Sequence, residues 1–283
     1  MLQISELYIY PIKSLAGILV NEARVTLTGF EHDRRWMLVD ENNLFISQRE
    51  APQMALMTVA IEGTGLKITY KGEHLFIPFY INSPPPIGGG RTIVTIWDDT
   101  CPAEYVSNEA DKWFSTMLGI NCRLVYMPDD TRRIADQRYA HENDITSFAD
   151  AYPFLIIGQA SLDDLNSRLP APLPMNRFRP NIVFTGGSPF EEDTMACFTI
   201  GDIEFYGVKL CARCVITTID QGNATKGKEP LKTLASYRRK ENKILFGQNL
   251  VHKGDGIITI GDTMEVLKLD YEERFMVPLR QIF

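Results

Sequence analysis

The sequence predicts a mainly β protein of the α+β class, organised as two domains, on three observations. Short runs of apolar, aromatic and β-branched residues recur between turn signals along the whole chain, as in barrels and sandwiches. Only three segments carry helical periodicity. A length of 283 residues favours two domains of ordinary size. The composition, 45% hydrophobic and 23% charged, is that of a soluble globular chain.

In chain order, the predicted strands are "LYIYPI" (7–12), "RRWMLVD" (34–40), "LKITYK" (66–71), "RTIVTIW" (91–97) and "RLVYM" (123–127). Farther along come "NIVFTG" (181–186), "IEFYGV" (203–208), "VITTID" (215–220) and "GIITIG" (256–261). The first helix is predicted in "SNEADKWFSTMLG" (107–119). There Ala110, Trp113, Phe114, Met117 and Leu118 fall on one face, with Ser107 to cap and Gly119 to stop. The second, "SLDDLNSRL" (161–169), begins on a Ser161 to Asp164 pair resembling a capping box and buries Leu162, Leu165 and Leu169. The third, "EPLKTLASYRR" (229–239), has Pro230 in its first turn. The insert "PPPIGGG" (84–90) lacks the Lys-Ser/Thr ending of a phosphate loop and is read as a hairpin connection. The polar stretch 128–150 is read as a binding loop or linker, so the domains are placed at 1–122 and 123–283.

A net charge of −7 with a pI near 5.2 supplies no global basic field, which argues against nucleic acid or an anionic membrane as partner. The N-terminus has no secretory pattern, and no apolar run approaches the roughly 18 residues of a membrane helix. Five cysteines, an odd count without regular spacing, argue for free thiols in a reducing compartment. The expected location is the cytoplasm.

The stretch that asks for chemistry is "KLCARCVITTID" (209–220). A zinc site would need a second close pair of Cys or His, but the other cysteines are isolated and the four histidines form no spaced pair. A redox pair places its first Cys at a helix N-terminus, whereas the residues after Cys214 have strand character. Two buried core cysteines are the bland alternative. Arg213 between them favours a thiolate or an anionic ligand. Basic residues also stand at predicted strand ends: Lys13 and Ser14 in "YPIKS", Arg34 and Arg35 in "HDRRWMLV", Arg177 and Arg179 in "NRFRPNIVF". Together with a thiolate they suit a large anionic ligand carrying phosphate.

The segments "YPIKSLAG", "DRRWMLVD", "FADAYPFLIIGQASLDDLN", "NRFRPNIV" and "CARCVITTID…GKEPLKTL" resemble the successive motifs of MOSC-domain proteins. The branch resembled has an N-terminal β-barrel domain and includes the mitochondrial amidoxime-reducing component and bacterial relatives. The resemblance implies an N-terminal MOSC β-barrel domain followed by a β-rich MOSC domain with a few helices. It also implies a molybdenum cofactor (molybdopterin with Mo), with no role for pyridoxal phosphate, and reduction of N-hydroxylated compounds by Mo(IV)/Mo(VI) chemistry. By that resemblance Cys214 is the metal ligand and Cys211 a bystander. Lys13, Ser14, Arg34, Arg179 and Asn181 are cofactor contacts, and Asp150 is an acid beside the metal, able with water to supply protons. Ala151 and Tyr152, where the mitochondrial members have small hydroxyl residues, and Arg213 between the cysteines complete the expected contacts. The rival expectation is a non-catalytic carrier of the cofactor or of sulfur as a Cys214 persulfide, and the weakest is a dithiol oxidoreductase. Without an iron–sulfur cysteine run or a G-x-G-x-x-G after a strand, electrons are expected from a separate flavin reductase or iron–sulfur carrier.

Overall fold

A computed structural model describes residues 1–79 and 90–271. Most of the insert predicted as a hairpin connection, residues 84–89, lies outside the described residues. The mainly β expectation holds, with three α-helices among the described residues: α1 (Asn108–Leu118), α2 (Gln159–Arg168) and α3 (Leu231–Ala235). None is long and apolar enough to cross a membrane.

Seven strands close into a ring. Phe154–Gly158 pairs with Ile182–Thr185, and the ring continues through Leu2–Ile9, Thr263–Leu269, Met195–Ile200, Ile203–Ala212 and Lys243–Lys253 back to Phe154–Gly158. Only the pairing of Phe154–Gly158 with Ile182–Thr185 is parallel, and α2 makes the crossover between them. Alternation explains both faces. Phe154 and Ile156 point into a core with Ile182, Phe184, Phe198 and Phe205. Their neighbours Leu155 and Ile157 face outward onto Leu162 and Leu165 of α2 and Leu234 of α3. In "LQISELYI" the inward set changes phase, Leu2 and Ile4 before Leu7 and Ile9, because a bulge falls between Ile4 and Glu6. Gly247 has φ +77°, and a Cβ there would stand 2.9 Å from the Ile156 carbonyl oxygen, so only glycine fits.

Other strands of the first half form a four-stranded sheet (Trp36–Val39, Arg123–Tyr126, Asp99–Tyr105, Arg91–Ile96) and a three-stranded one (Thr58–Glu62, Gly65–Tyr70, Glu73–Pro78), while Glu22–Thr26 pairs with Gly29–Phe30 and Gly256–Thr259. Hydrogen bonding crosses the 122/123 division: Arg123–Tyr126 pairs with Trp36–Val39, and Leu2–Ile9 joins the ring built from residues beyond 150. Three expectations need correction, the last of them the place of Pro230. The capping box at Ser161 does not form, because α2 starts at Gln159 after Gly158. Ser161 lies inside the helix and donates its hydroxyl to the buried Glu192 carboxylate at 2.7 Å. The run "VITTID" is not a strand: Val215–Thr218 is a 3-10 turn. The Thr217 and Thr218 hydroxyls donate to the carbonyls of Cys214 and Val215 at 2.9 and 2.7 Å, local bonds that outweigh β propensity. The first helix is as predicted, with the Ser107 hydroxyl accepting from the Ala110 amide and Gly119 left-handed at φ 69°. Pro230 stands just before α3 rather than within it.

Candidate functional site

One cleft gathers the ten residues expected to contact the metal or cofactor, from loops that leave the ring and meet the first-half sheets. Its floor is the end of the strand Ile203–Ala212. Beyond it the Arg213 amide donates to Ile244 O at 2.7 Å, and the 3-10 turn then sets Cys214 at the rim. Both cysteines are free and half-buried, but their surroundings differ. Cys211 packs against the apolar cluster under α2 and accepts from Arg213 Nη1 at 2.9 Å. Cys214 Sγ accepts from Arg49 Nη2 at 3.2 Å, across from the first-half loop after "LFIS". That loop is held in turn by Lys226 Nζ donating to Arg49 O at 2.9 Å.

The cationic wall is stacked on one buried ring. Arg34 and Arg179 stand over Tyr10 with guanidinium carbons 4.5 and 4.2 Å from its centroid. Arg34 donates to Asp33 at 2.6 Å and to Asn181 Oδ1 at 3.1 Å. Asn181 in turn receives the Leu155 amide and donates to Tyr8 O, so its side chain fixes Arg34 against the ring barrel. Arg179 donates to Leu15 O at 2.6 Å. Burial pushes its pKa down to about 10. Among the described residues Arg49, Arg179 and Arg213 have no carboxylate within ion-pair distance. All three are half-buried, and partly desolvated cations gathered without a paired anion suit a negative ligand.

Ser14, Arg34 and Arg179 have φ of 70°, 51° and 55°. Non-glycine residues in the left-handed region cost on the order of 1–3 kcal/mol each and gather where function needs a fixed geometry. Here that geometry is a loop that presents Lys13 and Ser14 with the two guanidiniums. Lys13 is 8% exposed at its side chain and donates to Phe148 O at 2.8 Å and to Asp150 at 2.6 Å. Asp150, 67% exposed, also accepts from Trp97 Nε1 at 3.3 Å. The loop that ends on Asp150 is stapled by buried Arg133, which donates to the carbonyls of Ser147, Ala149 and Asp150. Ala151 and Tyr152 follow along the cleft, Tyr152 buried.

Asp150, expected as an acid beside the metal, is paired with Lys13, and the pair sets where the charge sits. Desolvation by the groups packed around Asp150 pushes its exposed-edged carboxyl up, but the Lys13 ammonium, the Trp97 indole and Arg49 together hold it well below the usual carboxylate range. It is ionised at neutral pH. Burial pushes Lys13 down to about 8 despite Asp150, so the proton available near neutrality sits on Lys13 Nζ. Two residues at the site escaped sequence reasoning, Arg49 and Trp97. Arg49 lies in a loop with no strand-end motif, and Trp97 looked like the last residue of a strand. Arg35 serves elsewhere, paired with Asp129 at 2.6 Å, while Arg177 also lines the cleft but is engaged by Asp220 at 2.7 Å. No cluster of three or more metal-ligating side chains occurs among the described residues, so a metal at Cys214 would take its remaining ligands from a bound group.

Residues 1–121 match the MOSC N-terminal beta barrel domain and residues 143–265 the MOSC domain. The chain is 32% identical over 282 residues to mitochondrial amidoxime-reducing component 1 of Mus musculus, covering 93% of this chain and 82% of that one. It is 34% identical over 246 residues to mitochondrial amidoxime reducing component 2 of Bos taurus, with 83% and 72% covered. It is 28% identical to the molybdenum cofactor sulfurase of Oryza sativa subsp. japonica, over 87% of this chain but 32% of that protein. The chain therefore belongs to the MOSC-domain family, in the branch that joins a MOSC N-terminal beta barrel domain to a MOSC domain and includes the mitochondrial amidoxime-reducing components.

Proposed function

We propose that the cleft holds a molybdenum cofactor with Cys214 as the protein's ligand to the metal, and that the protein reduces N-hydroxylated compounds to amines or amidines. The observation that carries this reading is the convergence of three guanidiniums, Arg49, Arg179 and Arg213, that have no carboxylate partner among the described residues, on a cleft in which Arg49 meets the Cys214 thiol. A pterin with a phosphate tail supplies the anion those forks lack, and a soft thiolate suits the metal. The relatives' names, amidoxime-reducing component and molybdenum cofactor sulfurase, support the same chemistry.

Bound there, the cofactor would supply the two-electron chemistry that cleavage of an N–O bond requires. The chain's own residues do the rest. Arg34 and Arg179, fixed on Tyr10, and the Ser14 loop orient the anionic tail. Reduction of R–NHOH to R–NH2 and water consumes two electrons and two protons, and Lys13 Nζ, held on Asp150, is the proton source placed in the cleft. Electrons come from a separate protein, a flavin reductase or iron–sulfur carrier.

The test is turnover of benzamidoxime by cofactor-loaded protein with a reduced viologen dye. Cys214→Ser should abolish it and Cys211→Ser should keep most of it. Equal activity in the two variants, or a requirement for a Cys211–Cys214 disulfide, would refute the assignment. Cofactor retention without turnover would favour the carrier reading instead.

A further inference from the structure

The strand pair Arg91–Ile96 and Asp99–Tyr105 is joined by two residues, Trp97 and Asp98. Only Trp97 of the two has positive φ, 56°. In a two-residue hairpin that combination belongs to the type II′ turn, whose first central position favours glycine. A bulky aromatic there is a conflict between local preference and structure, and such conflicts concentrate at functional sites. Folding alone gives no reason for the choice, since the indole is 44% exposed.

The contacts of Trp97 all lead to the cleft. Its Nε1 donates to Asp150 Oδ1 at 3.3 Å. Arg49 stacks over it at 4.3 Å, and the same guanidinium donates to Cys214 Sγ. Its edge meets Phe45 at 4.9 Å, and Phe45 lies under Lys13 Nζ at 5.3 Å. The first-half sheet thus sends a partly open indole, with Arg49 over its ring, to the edge of the cleft, beside Asp150 and one guanidinium away from the thiol.

We infer that Trp97 is the specificity-determining residue of this site: its indole stacks on flat, conjugated N-hydroxylated substrates and favours them over small aliphatic ones. The inference rests on the proposed reduction of N-hydroxylated compounds and names which of them the cleft prefers. Stacking of one aromatic ring on another, in a site that water reaches from one side, is worth about tenfold in affinity.

The experiment compares benzamidoxime with acetamidoxime, which share the reacting group and differ in the ring. Trp97→Gly removes the indole at a position where the turn accepts glycine, and Trp97→Phe keeps an aromatic face. On cofactor-loaded protein with a reduced viologen dye, Trp97→Gly loses the Asp150 contact for both substrates alike, so the reading is their ratio: kcat/KM for benzamidoxime should fall about tenfold further than for acetamidoxime, mostly through KM. Trp97→Phe should restore most of that ratio. A second readout needs no turnover. Trp97 is one of three tryptophans, and Trp36 is 1% exposed, so benzamidoxime should quench tryptophan emission in the wild type but not in Trp97→Phe. Equal losses on the two substrates, or quenching that survives Trp97→Phe, would overturn the inference. If wild-type protein turns over neither amidoxime, the reading of function fails, and the quenching comparison alone decides the stacking.

Discussion

Replacing Glu192 by Gln should flatten the alkaline side of the stability profile. Glu192 is fully buried, its Oε2 accepts from Ser161 Oγ at 2.7 Å, and its Oε1 has no hydrogen-bond partner. Burial first, and the neighbouring Asp193 second, push its pKa from an ordinary 4.5 to about 8. The folded protein therefore keeps the proton over a window in which the unfolded chain has lost it. Stability is greatest below about pH 4.5 as far as this group is concerned, and falls as pH rises towards 8. At about 1.4 kcal/mol per pH unit, the gap between 4.5 and about 8 makes this on the order of 5 kcal/mol. Glutamine keeps the shape and an acceptor for Ser161 and has no proton to lose. Urea unfolding of both proteins at pH 5, 7 and 9 should show Glu192→Gln gaining several kcal/mol relative to wild type between the first and last pH. Parallel loss of stability in the two proteins would refute the assignment of a neutral buried acid.

Two further outcomes follow from the cleft. Arg179→Ala and Lys13→Ala should fold but bind cofactor at least tenfold more weakly, since one charge-assisted contact is worth about 1.5–3 kcal/mol; full pterin occupancy in both would assign the basic wall to another ligand. Cofactor-loaded protein should not oxidise NADH with an amidoxime as acceptor, yet should turn over once a flavin reductase and electron carrier are added; steady turnover with NADH alone would mean a redox centre within the chain.

How legible all this was depends on how local each signal is. The helix α1 was readable because its cap, stripe and stop lie within thirteen residues and tertiary contacts only reinforce them. Lys13, Arg34, Arg179 and Cys214 were readable as polar breaks at the ends of apolar runs. Their left-handed backbones were not, because nothing in the identity of Ser14 or Arg179 announces positive φ. The strand Lys243–Lys253 was missed because Gly247 and Gln248 interrupt its alternation, and Gly247 is explained only by Ile156 across the sheet. "VITTID" misled because β-branched side chains favour strands until a threonine hydroxyl finds a carbonyl three residues back. Ser161 misled in the same way: its partner is Glu192, 31 positions away. Arg49 and Trp97 reach the site only through the meeting of the first-half sheets with the ring, which no local pattern encodes. The pairing of Asp150 with Lys13 was not readable either, because an ion pair across 137 positions is a property of the fold.

The molybdenum and pterin content of purified protein, wild type beside Cys214→Ser, made in a host that synthesises the cofactor, bears most directly on the central claim. Wild type should carry both in near-equal amounts, and Cys214→Ser should lose the metal while remaining folded. A wild-type protein with neither, or a Cys214→Ser variant that keeps its full molybdenum, would contradict the assignment of this cleft and this thiol.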